Sequence, residues 1–226
     1  MKRNTWLFML VALIIGGILG WAGAVGVNTK SGLPTVGVGG GPNLISSSSS
    51  KAQDLKLSMR KLWEDHITFT HFYVTSAINS LSDSDAILTR LMENQEDLGN
   101  AIKPYYGEEA GNKLASLLKD HIALAGEEVE AAMANDDVKF AQVDKEWYDN
   151  GNQIADFLSS ANPNLSKDDA RAMMKDHLDL LKQGIVDALA GRADATVVDY
   201  DKTHNQALQM ADMISNAIIK QFPNKF

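Results

Sequence analysis

The stretch "LLKDHIAL" (Leu117–Leu124) decides the fold of this chain, because it recurs. "LWEDHITF" (Leu62–Phe69) precedes it and "MMKDHLDL" (Met173–Leu180) follows it. The histidines, His66, His121 and His177, stand 55 and 56 residues apart. Around each, apolar residues return at intervals of three and four, the signature of one helix face. The segments between them also correspond: "ENQEDLGN" (Glu93–Asn100), "DNGNQIAD" (Asp149–Asp156) and "HNQALQMAD" (His204–Asp212). The pattern predicts three degenerate helical hairpins of about 55 residues each.

Punctuation sets the boundaries. A first helix is expected from Asp54 to Ser80. A second starts near Ser82 and Asp85, which have capping-box spacing, and ends before Pro104. The third covers Glu108 to Ala134, and "NDD" (Asn135–Asp137) separates it from a fourth that runs to Ser160. Ser166 and Asp169 cap the fifth, Gly191 interrupts, and the sixth runs to Phe222. Short connections favour antiparallel neighbours. The expected fold is all-α: an antiparallel up-and-down bundle of about six helices.

The first fifty residues differ from the rest. "MKRNTWLFMLVALIIGGILGWAGAVGV" joins a basic start to an apolar run from Trp6 to Val27, long enough to cross about 30 Å of hydrocarbon. Lys2 and Arg3 place that end in the cytoplasm. Residues 1–29 are expected to be a single-pass anchor at the cell membrane. They are a secretory signal if Ala22-Gly23-Ala24 is cleaved. Residues 30–53, rich in Gly, Pro and Ser, are expected to be a flexible linker. Either way residues 54–226 form a domain outside the cytoplasm.

The chain has no cysteine, which removes disulfides, Cys-ligated metal and c-type haem attachment. Of 21 Lys and Arg and 29 Asp and Glu, residues 1–50 hold only Lys2, Arg3 and Lys30 and no acid, so the net charge of −8 becomes −11 over the remainder. Such a domain repels phosphate backbones, and no nucleic-acid partner is expected; cations are electrostatically welcome. Nucleotide-binding loops, hydrolase elbows and H-E-x-x-H helices are absent from the sequence. No catalytic residue is assigned.

The candidate site consists of polar residues inside apolar stripes. His66, His121 and His177 each lie midway along such a stripe. His204 does too, on the face of the sixth helix that runs through Val197, Asp201, His204, Leu208 and Ala211. Asn94, Gln95 and Asn150 occupy similar depth on the other helices. A buried polar group without a partner costs about 1–3 kcal/mol, so four histidines need partners. One reading is a metal site: His66, His121, His177 and His204 with Asp201 as ligands for zinc, copper or iron. Asp201 and His204 have the i,i+3 spacing of bundle ligand pairs. Asp65, Asp120 and Asp176 precede three of the histidines and could orient a neighbour's imidazole, or pair with nearby lysines. Haem ligation ranks well below a bare ion. The other reading is a purely structural polar layer that fixes helix register. In that case the bundle serves as an interaction or sensory module and meets an envelope protein through its outer faces and the turn at Tyr105–Tyr106.

At "LWEDHIT", "LMENQEDLGNAIKPYYGEEAGNKLASLLKDHI", "KEWYDNGNQIADFLSSANP", "MMKDHLDL" and "ADMISNAIIKQFP" the chain resembles a family of small bacterial exported or membrane-anchored helical-bundle proteins of unassigned function. The resemblance covers most of residues 54–226. It implies an exported bundle and no catalytic residues. Likeness to hemerythrin and ferritin-like bundles is architectural only, because their His/Glu ligand spacings are not reproduced.

Overall fold

The structure is a computed structural model that describes residues 47–226. The anchor or signal expected over 1–29 lies outside the described residues, as does most of the expected linker. Among the described residues the regular structure is helical: α1 (Ser47–Ile78), α2 (Ser84–Tyr106), α3 (Glu108–Ala134), α4 (Asp137–Ala161), α5 (Lys167–Leu189) and α6 (Ala193–Gln221), then a single 3-10 turn (Pro223–Lys225). None of these helices is long and apolar enough to cross a membrane.

The connections act as the sequence suggests, with three differences. Ser166 accepts a hydrogen bond from Asp169 N at 3.0 Å and caps α5. Asn135, in the left-handed region at φ 54°, closes α3. Gly107, at φ 87°, turns α2 directly into α3. The first difference is the start of α1: it begins at Ser47 rather than Asp54, so serines expected in the linker are helical. Serine costs only about 0.5 kcal/mol in a helix, and growth from an established helix is easy. The second is the end of α2, which passes through Pro104 to Tyr106. Its last turn is held from outside: Tyr105 and Tyr106 pack on Phe222 with ring centroids 5.9 and 5.2 Å away. The third is the expected cap at Ser82. Helix α2 follows Asp83, whose carboxylate accepts from Ser76 Oγ at 2.9 Å instead of capping.

Each helix packs on its predecessor and successor, and α1 packs on α6, so the six close into a ring; α1 also touches α3 and α5 across the middle. Helices α2 and α3 approach closely: a Cβ at Gly99 would stand 2.5 Å from the Gly111 carbonyl oxygen. The core is divided. On one side of the histidine level lies a large cluster including Met59, Trp63, Leu98, Leu118, Ile154, Met174 and Met210. On the other lie three small ones, centred on Tyr73 with Leu91, Val74 with Ile185, and Trp147 with Leu178.

Candidate functional site

The polar level between these clusters holds His66, His121 and His177, which are 1%, 2% and 1% exposed. They come from α1, α3 and α5. The rings of His66 and His177 are 5.9 Å apart, and those of His121 and His177 6.1 Å. Trp63 packs edge-on against His66 at 5.5 Å, and Trp147 lies 5.4 Å from His121.

For His121 and His177 an amide decides which ring nitrogen carries the proton. Asn150 Nδ2 donates to the Leu117 carbonyl at 3.1 Å. A carbonyl can only accept, so the NH2 group must face it, and Asn150 Oδ1 therefore faces His121 Nδ1, 2.8 Å away. That oxygen in turn can only accept, so the proton is on Nδ1 and Nε2 keeps a bare lone pair. Helices α5 and α6 repeat the pattern. Gln206 Nε2 donates to the Met173 carbonyl at 3.0 Å, and its Oε1 lies 3.0 Å from His177 Nδ1. In both hairpins the amide follows the histidine by 29 residues, and the carbonyl lies one turn before the histidine. In α1 and α2 two side chains share the task. Asn94 Nδ2 donates to the Leu62 carbonyl at 3.0 Å, while Gln95 stands 29 residues after His66. Gln95 Nε2 donates to Leu91 O and Asn94 Oδ1, which leaves Gln95 Oε1 and His66 Nδ1 buried without partners. His121 Nε2 is also buried and unpartnered.

Burial dominates the electrostatics. It lowers the pKa of His66 to about 3, with repulsion from His177 and His121 adding to it. It lowers His121 to about 3, again with His177 contributing, and His177 to about 4. All three imidazoles are neutral at pH 7. No carboxylate is among the groups that act on them.

The structure brings together three of the four expected histidines. His204 is outside the cluster: its side chain is 24% exposed and its Nε2 lies 3.3 Å from Glu64 Oε1. Asp201 is exposed. Helix α6 instead faces inward through Asp199, Thr203, Ala207, Met210 and Ile214, and Val197 is 61% exposed. Asn94, Gln95 and Asn150 are buried at the expected level. Asp65 pairs with Lys61 at 2.5 Å and with Arg90 at 3.6 Å, and Asp120 and Asp176 are exposed, so none of the three orients an imidazole. Gln206 was missed. Its signal was available in the interval of 56 residues from Asn150, but the neighbouring Asn205 matches the asparagine by identity and is exposed. Among the described residues, no group of three or more His, Asp or Glu side chains stands ready-made at metal-holding geometry.

Outside the histidine level, Glu128 is fully buried with both carboxylate oxygens unpartnered. Burial, with Asp144 nearby, raises its pKa to about 7. Tyr106 caps the bundle end, donating to Gln221 Oε1 at 2.8 Å and accepting from Asn162 Nδ2 at 2.8 Å.

Compared with models of protein families, with curated proteins and with solved structures, the chain finds no match.

Proposed function

We propose that this protein is a membrane-tethered, extracytoplasmic, non-enzymatic bundle that binds one transition-metal ion between His66, His121 and His177, and that its three hairpins are copies of one ancestral unit. The observation that carries the metal reading is the fixed tautomer of His121 and His177. In each ring Nδ1 is committed to an amide oxygen, and the opposite nitrogen, the one that binds metal, is left as a lone pair. A histidine ligand whose other nitrogen donates to an acceptor is the usual arrangement around a protein-bound metal. Three imidazoles on one ion, at metal–nitrogen distances of about 2.0–2.1 Å, have centroids roughly 5 Å apart. The His177 ring therefore needs to close by about 1 Å on each of the other two from its present 5.9 and 6.1 Å.

Charge selects the ion. With neutral ligands and no carboxylate to compensate, each added charge must be borne by the interior, and that cost rises with the square of the charge. Copper(I), a soft monovalent ion that accepts imidazole, fits better than zinc(II) or iron. The extracytoplasmic position follows from Lys2, Arg3 and the apolar run after them.

The test is a thermal melt of the full chain in mild detergent. One equivalent of copper(I), kept reduced, raises the midpoint more than zinc(II) does. His121→Ala and His177→Ala remove the rise, and His204→Ala keeps it. If no first-row ion shifts the midpoint, the metal reading is wrong. One observation favours a second reading. The carbonyl–amide–imidazole chain joins the two helices of a hairpin at the same level in each case, which by itself pins helix register. In that reading the layer is structural and the outer faces meet an envelope partner.

A further inference from the structure

If the hairpins are copies, positions 73, 128 and 184 correspond, as do 91, 147 and 203, and 87, 143 and 199. The first hairpin has Tyr73, Leu91 and Ile87 there, and the second has Glu128, Trp147 and Val143. The third has Gly184, Thr203 and Asp199. Two bulky side chains have become small, and an aliphatic one has become a carboxylate. The consequence does not depend on ancestry: a cavity of about 40 Å³ lies between α1, α5 and α6, and Gly184, Thr203 and Asp199 line it.

The fully buried polar groups of the lining are Thr70, Asp199 and Thr203, while His71 and Tyr200 line its half-buried side. Asp199 is 4% exposed. Its Oδ1 accepts from Lys202 Nζ at 3.0 Å, and its Oδ2 is buried without a partner. The neighbouring buried carboxylate, Asp187, is already held by Arg192 Nε at 2.8 Å. Thr70 and Thr203 spend their hydroxyl protons on the backbone, donating to His66 O at 2.7 Å and to Asp199 O at 2.8 Å. What these two oxygens have left is lone pairs. The carboxylate and both threonines are therefore acceptors, and a fitting occupant is a donor. Lys202 answers the charge at Oδ1, and the buried Oδ2 still lacks a donor.

We propose that this cavity binds the ammonium group of a small primary alkylamine, which donates to Asp199 Oδ2 and to the hydroxyl oxygens of Thr70 and Thr203. Its short alkyl chain packs on Ile67, Val74 and Ile185. The enclosed space, about 40 Å³, suits the ammonium end and first carbons of such a chain. His71 and Tyr200, with rings 4.8 Å apart, line the cavity and are half-buried. Burial lowers the His71 pKa, so this ring stays uncharged at pH 7 and does not repel a cation. The site is independent of the metal reading.

The test is calorimetric titration of the full chain in mild detergent with n-propylammonium, 1-propanol and tetramethylammonium. The expected result is saturable 1:1 binding of n-propylammonium, with the alcohol and the quaternary ion at least about tenfold weaker because one lacks charge and the other lacks N–H donors. Asp199→Asn and Gly184→Leu each weaken binding by about tenfold or more, with helicity by circular dichroism unchanged. Gly184→Leu decides the matter if Asp199→Asn disturbs the fold, because the atom nearest to an added Cβ is Asp199 Cβ at 3.7 Å. No saturable binding, equal binding of 1-propanol, or undiminished binding in a folded Gly184→Leu chain would overturn the proposal.

Discussion

Lowering the pH from 7 to 5 should strip this bundle of much of its stability, and the buried histidines set the amount. In the unfolded chain each imidazole titrates near 6.5, whereas in the fold burial lowers the three to about 3, 3 and 4. Between these limits the unfolded chain takes up protons that the folded chain refuses. Stability is therefore full above pH 6.5 and is lost as the pH falls toward the folded values. At pH 5 each histidine has cost about 2 kcal/mol, about 6 kcal/mol for the three. Glu128 works the other way. Its pKa is raised from 4.5 to about 7, so between those values the folded chain holds a proton that the unfolded chain lacks, and acidification to pH 5 returns about 2 kcal/mol. The net expected loss is about 4 kcal/mol, a large share of the 5–15 kcal/mol that holds a typical domain together. Urea unfolding of metal-free full chain at pH 7, 6 and 5 measures it. Glu128→Gln removes the opposing contribution and should raise the loss to about 6 kcal/mol. A wild-type loss under about 1 kcal/mol, or no difference between wild type and Glu128→Gln, would refute the reasoning.

Asn150→Leu removes both the acceptor of His121 Nδ1 and the donor to Leu117 O; urea unfolding should register a loss of about 1–3 kcal/mol, while exposed Asn205→Ala stays within about 0.5 kcal/mol. Gly99→Ala forces a Cβ to 2.5 Å from Gly111 O and 2.8 Å from Ala115 Cβ, so thermal melts should report a loss of about 1–3 kcal/mol as α2 and α3 are pushed apart. Gly184→Ala meets nothing closer than 3.7 Å and should instead gain up to about 1 kcal/mol from helix propensity.

The sequence by itself determined the all-helical class, most helix boundaries and the depth of His66, His121 and His177. Each of these depends on local periodicity, capping chemistry or spacing, all of which are written along the chain. Asn94, Gln95 and Asn150 were legible for the same reason. The rotation of α6 was not. Its apolar residues allow more than one inward face, and only contact with α1 and α5 selects the one through Asp199, Thr203 and Ala207 over the one through Asp201 and His204. Gln206 could be recognised as a partner only after that rotation was known. The burial of Glu128 and the cavity beside Gly184 likewise belong to tertiary structure. A helix facing three neighbours buries residues according to what those neighbours leave unfilled, and no period of 3.6 residues records that.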